Sequence, residues 1–255
     1  MIRWMFWDLG DTLLDEDPLR FALYDLLFSA LRYADPSLSF AALLARREHL
    51  AAGGDPSPHY TIARESLAPE AFAAWVDDAR RFISGEGQPL VVPVAGVAEA
   101  LPRLARRVRM GVIADQPPEV EETLRRHDLR RWFDVVALDA VVGASKPDER
   151  IFRWALDRAG CSASEAVMVG NRLDRDIAPA RRVGMRTIFC YLSPEAKGWT
   201  PDTPHARLYL HSLARIPNWP VEPDPTRPDE TPDARVSSIA AIEDVLDAWG
   251  CEDIG

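Results

Sequence analysis

Lysine is nearly missing from this chain. Only Lys146 and Lys197 occur among its 255 residues, so arginine carries the remaining positive charge and each lysine position becomes informative. Positive charge is also in deficit, with a formal net charge of -10. That deficit argues against nucleic acid as a partner, because phosphate backbones are bound by clustered Lys and Arg. A small phosphorylated ligand stays possible, since a few local cations suffice for it. Cysteine is scarce: Cys161, Cys190 and Cys251 form neither a CxxC pair nor a zinc pattern, which fits reduced thiols in a cytoplasmic protein. No apolar run approaches membrane-spanning length, so no membrane partner is expected, and the short N-terminal run ends in acids rather than resembling a secretory leader. The five histidines show no ligand spacing. Apolar bulk, by contrast, is plentiful: 47% of the residues are hydrophobic, enough to bury a substantial core and to exclude wholesale disorder.

Residues 2–7 are apolar apart from Arg3 and stop at Asp8, the pattern of a buried parallel strand. Trp4, Phe6 and Trp7 therefore read as core. From 18 to 87 the spacing predicts helices only, over 18–33, 40–50 and 70–83, the first opened by Asp17-Pro18. After Val94, strands over 108–113, 135–138, 166–169 and 187–191 alternate with helices over 97–106, 118–127, 148–159 and 174–183. Such alternation predicts an α/β fold with a parallel sheet. Ligands of these sheets bind at the carboxyl ends of the strands, which directs attention to Asp8, Asp115, Lys146 and Asn171. Residues 193–233 are dense in proline and are expected to be mostly irregular, lying on the surface of the core. Within and just beyond them, 206–216 weakly echoes 234–242, and each segment suggests a short strand leading into a turn. A last helix is predicted over 239–249.

The segment WDLGDTLLD at 7–15 resembles the first motif of the haloacid dehalogenase superfamily, an apolar strand followed by DxDxT. GASKPDERIF resembles its third motif through Lys146, and VMVGNRLDRDIAPARRVGM at 167–185 resembles its fourth. VIADQP at 112–117 sits where the Ser or Thr of the second motif would be. The resemblance implies a Rossmann-like doubly wound parallel sheet with an inserted helical cap. The core would comprise 1–17 and 88–255, the cap 18–87, and 193–233 would be a surface excursion of the core. It also implies an enzyme, a Mg2+-dependent phosphatase of a small phosphorylated metabolite; either a monomer or a homodimer is expected. Asp8 would be the nucleophile that forms an aspartyl-phosphate. Asp8, the Gly10 carbonyl, Asn171 and Asp176 would hold the Mg2+, and Lys146 would hold phosphoryl oxygens.

Four positions depart from the pattern. Gly10 stands where phosphatases of the superfamily carry the general acid/base Asp, whose help is typically worth ~10²–10⁴-fold. Asp11, where the family usually has Gly, and Asp115 are the candidate substitutes. Ala114 replaces the second-motif hydroxyl at the substrate-binding position, and Asn171 replaces the first acid of the fourth motif. These departures keep two alternatives open: a non-catalytic binding protein on the same fold, and a metal-free 2-haloacid dehalogenase, which also lacks the second Asp but has a bulky polar residue there.

Overall fold

The computed structural model describes residues 1–251. The chain divides into two compact units, Met1–Asp15 with Pro93–Lys197 and Val221–Gly255, and Glu16–Val92 with Gly198–Pro220. The first is built on six strands: β1 (Trp4–Trp7), β2 (Arg109–Ala114), β3 (Val135–Leu138), β4 (Ala166–Gly170), β5 (Arg186–Cys190) and β6 (Ala234–Val236). They form one sheet in the order β3-β2-β1-β4-β5-β6, and every neighbouring pair is parallel. This is the α/β parallel sheet predicted from the strand–helix alternation, with the Rossmann-like architecture the resemblance implied.

Continuous apolar runs make these strands central. All four residues of β1 are buried, as a strand covered on both faces requires. Trp4 and Phe6 stack at 5.6 Å, and Phe6 lies so close to Gly111 of β2 that a Cβ there would meet the ring at 2.7 Å. The aromatic residues next to the site are thus core. The helix Glu149–Ala159 buries Ile151, Phe152, Ala155 and Leu156, the face predicted for it. Its start is fixed by the Asp148 carboxylate, which accepts from the Arg150 N–H, and its end by Gly160 at φ 62°. Each large apolar side chain buried this way stabilises the unit by roughly 1.5–3 kcal/mol.

Several elements differ from expectation. The predicted helix 174–183 begins as a π-turn over Leu173–Ile177 and becomes α-helical only over Ala178–Val183. The proline-rich stretch is not wholly irregular, nor wholly part of the core: Gly198–Pro220 belongs to the second unit and contains a helix, Pro204–Arg215. The predicted strand at 206–216 is therefore corrected to helix, while its counterpart at 234–242 does open with β6. Pro204 sits in the first turn, where its missing N–H costs nothing, and Thr203 caps the Ala206 N–H.

The second unit is helical, with Asp17–Ala34, Phe40–Ala52, Pro58–Ser66 and Pro69–Ser84 joining Pro204–Arg215. The third of these helices was not predicted, because its nine residues are led by turn formers and show little apolar period. Leu27, Phe40, Leu44, Ile62, Tyr209 and Leu213 share one core. Fully buried Arg47 explains the placement of 198–220. Its guanidinium donates to Ser212 O and Oγ, Ile216 O and Asn218 Oδ1, so it satisfies the carbonyl end of the late helix.

Candidate active site at the carboxyl edge of the sheet

Asp8 is the residue after β1, and its N–H donates to Val169 O of β4, which fixes it at the carboxyl end of a central strand. Lys146 lies in the loop before the helix Glu149–Ala159. Its Nζ is 2.6 Å from Asp8 Oδ1 and 2.5 Å from Asp176 Oδ1. Three residues predicted from separate motifs thus meet in one cluster, at 8%, 4% and 0% exposure. Asp176 reaches it because Gly170 lacks a side chain: a Cβ there would stand 2.4 Å from the Asp176 carboxyl carbon. The other Asp176 oxygen accepts the Arg172 N–H at 2.9 Å. Both Asp176 oxygens are therefore engaged, in anchoring Lys146 and in shaping the fourth-motif loop.

Burial dominates the electrostatics of Asp8. It pushes the carboxyl up to about 7 from an ordinary 3.8, and Lys146 offsets only part of that. Burial would likewise lower Lys146, but the Asp176 and Asp8 carboxylates outweigh it and raise the ammonium above its usual range. Lys146 therefore stays charged, and with both acids ionised the trio holds one excess negative charge in a dry place. A proton or a second cation relieves it.

Oxygen donors suited to a hard cation lie in the turn that Asp8 opens and in the loop after β4. Asn171 Nδ2 donates to Gly10 O at 3.2 Å, and Asp8 Oδ2 accepts a long 3.4 Å bond from Thr12 Oγ1. Turning the Asn171 amide by half a revolution would bring Oδ1 to the Gly10 carbonyl, two oxygens that a cation between them would reconcile. One carboxylate and two neutral oxygens match a Mg2+ that retains waters or phosphate oxygens. The set fits such an ion, with one charge fewer than if Asn171 were an acid.

Ala114 ends β2 fully buried. The next residue, Asp115, accepts the Lys146 N–H at 2.8 Å and Arg175 Nη2 at 2.6 Å. Asp11 is held elsewhere: Lys197 Nζ donates to its Oδ1 at 2.7 Å and lies 3.5 Å from Asp15. The structure thus pairs Asp11, one of the candidate acids, with a buried lysine. Asp11 also adopts φ 57°, the left-handed conformation for which glycine is the usual choice and which Asp tolerates. Sequence reasoning missed Lys197, Thr12 and Arg175. The available signals were the rarity of lysine and, for Arg175, its place next to Asp176.

A family model described as haloacid dehalogenase-like hydrolase matches residues 5–190. The chain is 30% identical over 195 residues to glyceraldehyde 3-phosphate phosphatase of Pyrococcus abyssi, spanning 74% of this chain and 81% of that protein. Over 233 residues it is 30% identical to phosphoserine phosphatase of Thermus thermophilus, spanning 78% and 90%. In fold it is similar to a haloacid dehalogenase-superfamily hydrolase from Geobacter sulfurreducens, with a TM-score of 0.65 at 19% identity across 96% of each chain. Among the described residues no helix is long and apolar enough to cross a membrane.

Proposed function

The chain belongs to the haloacid dehalogenase-like hydrolases, and from that premise we propose that it is a Mg2+-dependent phosphatase of a small phosphorylated metabolite, with Asp8 as nucleophile. The observation that supports this most is the Asp8–Lys146–Asp176 cluster: a poorly solvated carboxylate ends a central strand, beside a lysine held rigidly by a second acid. The phosphatase relatives make phosphate esters the substrate class of choice.

An Asp8 carboxylate oxygen attacks phosphorus, the bond from phosphorus to the ester oxygen breaks, and an aspartyl-phosphate forms. Water then attacks phosphorus, the Asp8–phosphorus bond breaks, and inorganic phosphate leaves. Lys146 stabilises charge on the phosphoryl oxygens, while Asp176 and the Asp115 contact to its N–H keep it in place. Asp8, Gly10 O and Asn171 would hold the Mg2+, which when bound supplies charge neutralisation for the incoming phosphoryl group. Gly10 offers no carboxyl to protonate the departing oxygen, and Asp11 is committed to Lys197. Esters with good leaving groups, such as aryl phosphates, are therefore the favoured substrates.

The test is a Mg2+-dependent screen of aryl and metabolite phosphates, with 2-haloacids included, on wild type beside Asp8→Asn. Phosphate release that Asp8→Asn abolishes is expected. Halide release without metal would give the dehalogenase reading instead, and no turnover of any ester would give the non-catalytic one.

A further inference from the structure

We propose that Arg175 binds a phosphoryl oxygen of the substrate, in place of the hydroxyl that Ala114 lacks; this rests on the phosphatase reading. The argument starts from charge. Lys146 is shared between two buried carboxylates, so with both acids ionised, as the nucleophile requires, the trio that meets the substrate carries an excess negative charge. A phosphoryl group brings further negative charge to that place. The ion that fits beside Asp8 would be held by one carboxylate, and position 114 offers only a buried methyl. One more cation is needed on the side of the second strand.

Arg175 is placed to be that cation. Asp115 follows Ala114 directly, and its carboxylate joins the Lys146 N–H on one oxygen to Arg175 Nη2 on the other. Arg175 also precedes Asp176, which bonds the Lys146 ammonium. Arg175 thus bonds one residue that touches Lys146 and directly precedes another. Arg175 lies within the π-turn over Leu173–Ile177. The Arg175 side chain is 37% exposed, and its bond to Asp115 uses Nη2 of a fork that can present a second pair of N–H groups to an anion. Arg172, from the same loop, is spent differently, with Nε and Nη2 both on Asp174. In this arrangement Asp115 orients the guanidinium rather than acting as an acid.

The test measures inorganic phosphate binding to the full chain with Mg2+, by calorimetry and as competitive inhibition of aryl phosphate hydrolysis. Variants are Arg175→Gln, Arg175→Lys and Asp115→Asn. Losing a charge-assisted contact predicts phosphate affinity weakened about tenfold to a hundredfold in Arg175→Gln, with a matching rise in KM. Arg175→Lys should recover part of that loss. Asp115→Asn should weaken phosphate less than Arg175→Gln, because the positive charge remains. Phosphate affinity within about twofold of wild type in Arg175→Gln would overturn the proposal and leave the phosphatase reading standing. Equal losses in all three variants would make the pair a loop staple and also overturn it. A wild type that neither binds phosphate nor hydrolyses any ester would overturn the phosphatase reading, and this proposal with it.

Discussion

The chain's two lysines are both buried, both between carboxylates, and both fastened to the turn that follows β1. Lys146 joins Asp8 to Asp176, and Lys197 joins Asp11 and lies close to Asp15. Composition does not separate the two clusters, nor does exposure, at 4% and 7% for the lysine side chains. Position in the fold separates them. Asp8 terminates a central strand, Asn171 bonds the Gly10 carbonyl two residues on, and Asp115 bonds both the Lys146 N–H and Arg175. Asp11 occupies a left-handed turn, where an ammonium secures a conformation an Asp would otherwise leave easily. On the proposed reading, the lysine wedged between two acids at the carboxyl edge of the sheet serves chemistry, and the other is an internal brace.

That contrast is broken most readily by exchanging each lysine for methionine. Lys146→Met should lower kcat by about 10²–10³ or more on aryl phosphates, as expected for removal of one preorganised charge. Lys197→Met should leave kcat per folded molecule within a few-fold but reduce stability by about 3–5 kcal/mol, the cost of stranding buried charge. Steady-state rates beside chemical denaturation check both, and Lys197→Met with full stability but no activity would merge the clusters into one site.

A second expected effect concerns the missing acid. Gly10→Asp should accelerate hydrolysis of alkyl phosphates by about 10²-fold or more and aryl phosphates far less. Asp11→Asn should leave the dependence of wild-type rate on leaving-group pKa unchanged, because Asp11 serves Lys197. A slope that steepens in Asp11→Asn would make Asp11 the acid.

Next in size is a pH effect on stability. The folded Asp8 carboxyl is raised to about 7 by burial, so the native state keeps a proton that the unfolded chain has released. Its contribution to stability is full below about pH 4 and is lost as pH rises through about 7. Without Mg2+, wild type should lose on the order of a few kcal/mol over that window relative to Asp8→Asn, read from denaturation curves across pH. Saturating Mg2+ should flatten the difference. The smallest expected change is in metal affinity: Asn171→Asp should tighten Mg2+ binding by about tenfold, since ligand charge sets affinity at such sites.

Much of this architecture was legible in the sequence, for identifiable reasons. Parallel strands buried on both faces write continuous apolar runs, and Trp4–Trp7 and Ala166–Gly170 stand out on that basis. Asp8, Lys146 and Asp176 could be anticipated together because strand ends lead to one edge of such a sheet. The helix Pro204–Arg215 was obscured by prolines that flank it rather than interrupt it, and its anchor, Arg47, lies 165 residues from Ser212. The pairing of Asp11 with Lys197, 186 residues apart, leaves no local pattern either. The strand–helix alternation suggested a plain helix over 174–183, whereas Leu173–Ile177 forms a π-turn and Arg175 within it bonds Asp115, 60 residues away.

The most direct test of the distinction between the two clusters is to quench the enzyme during turnover of an aryl phosphate and locate the phosphoryl group by peptide mass spectrometry. The phosphoryl mass increment should appear on the peptide containing Asp8, persist at that residue in Lys197→Met, and vanish in Asp8→Asn. Turnover with a label on any other residue, or with the same label in Asp8→Asn, would contradict the assignment of chemistry to the Lys146 cluster.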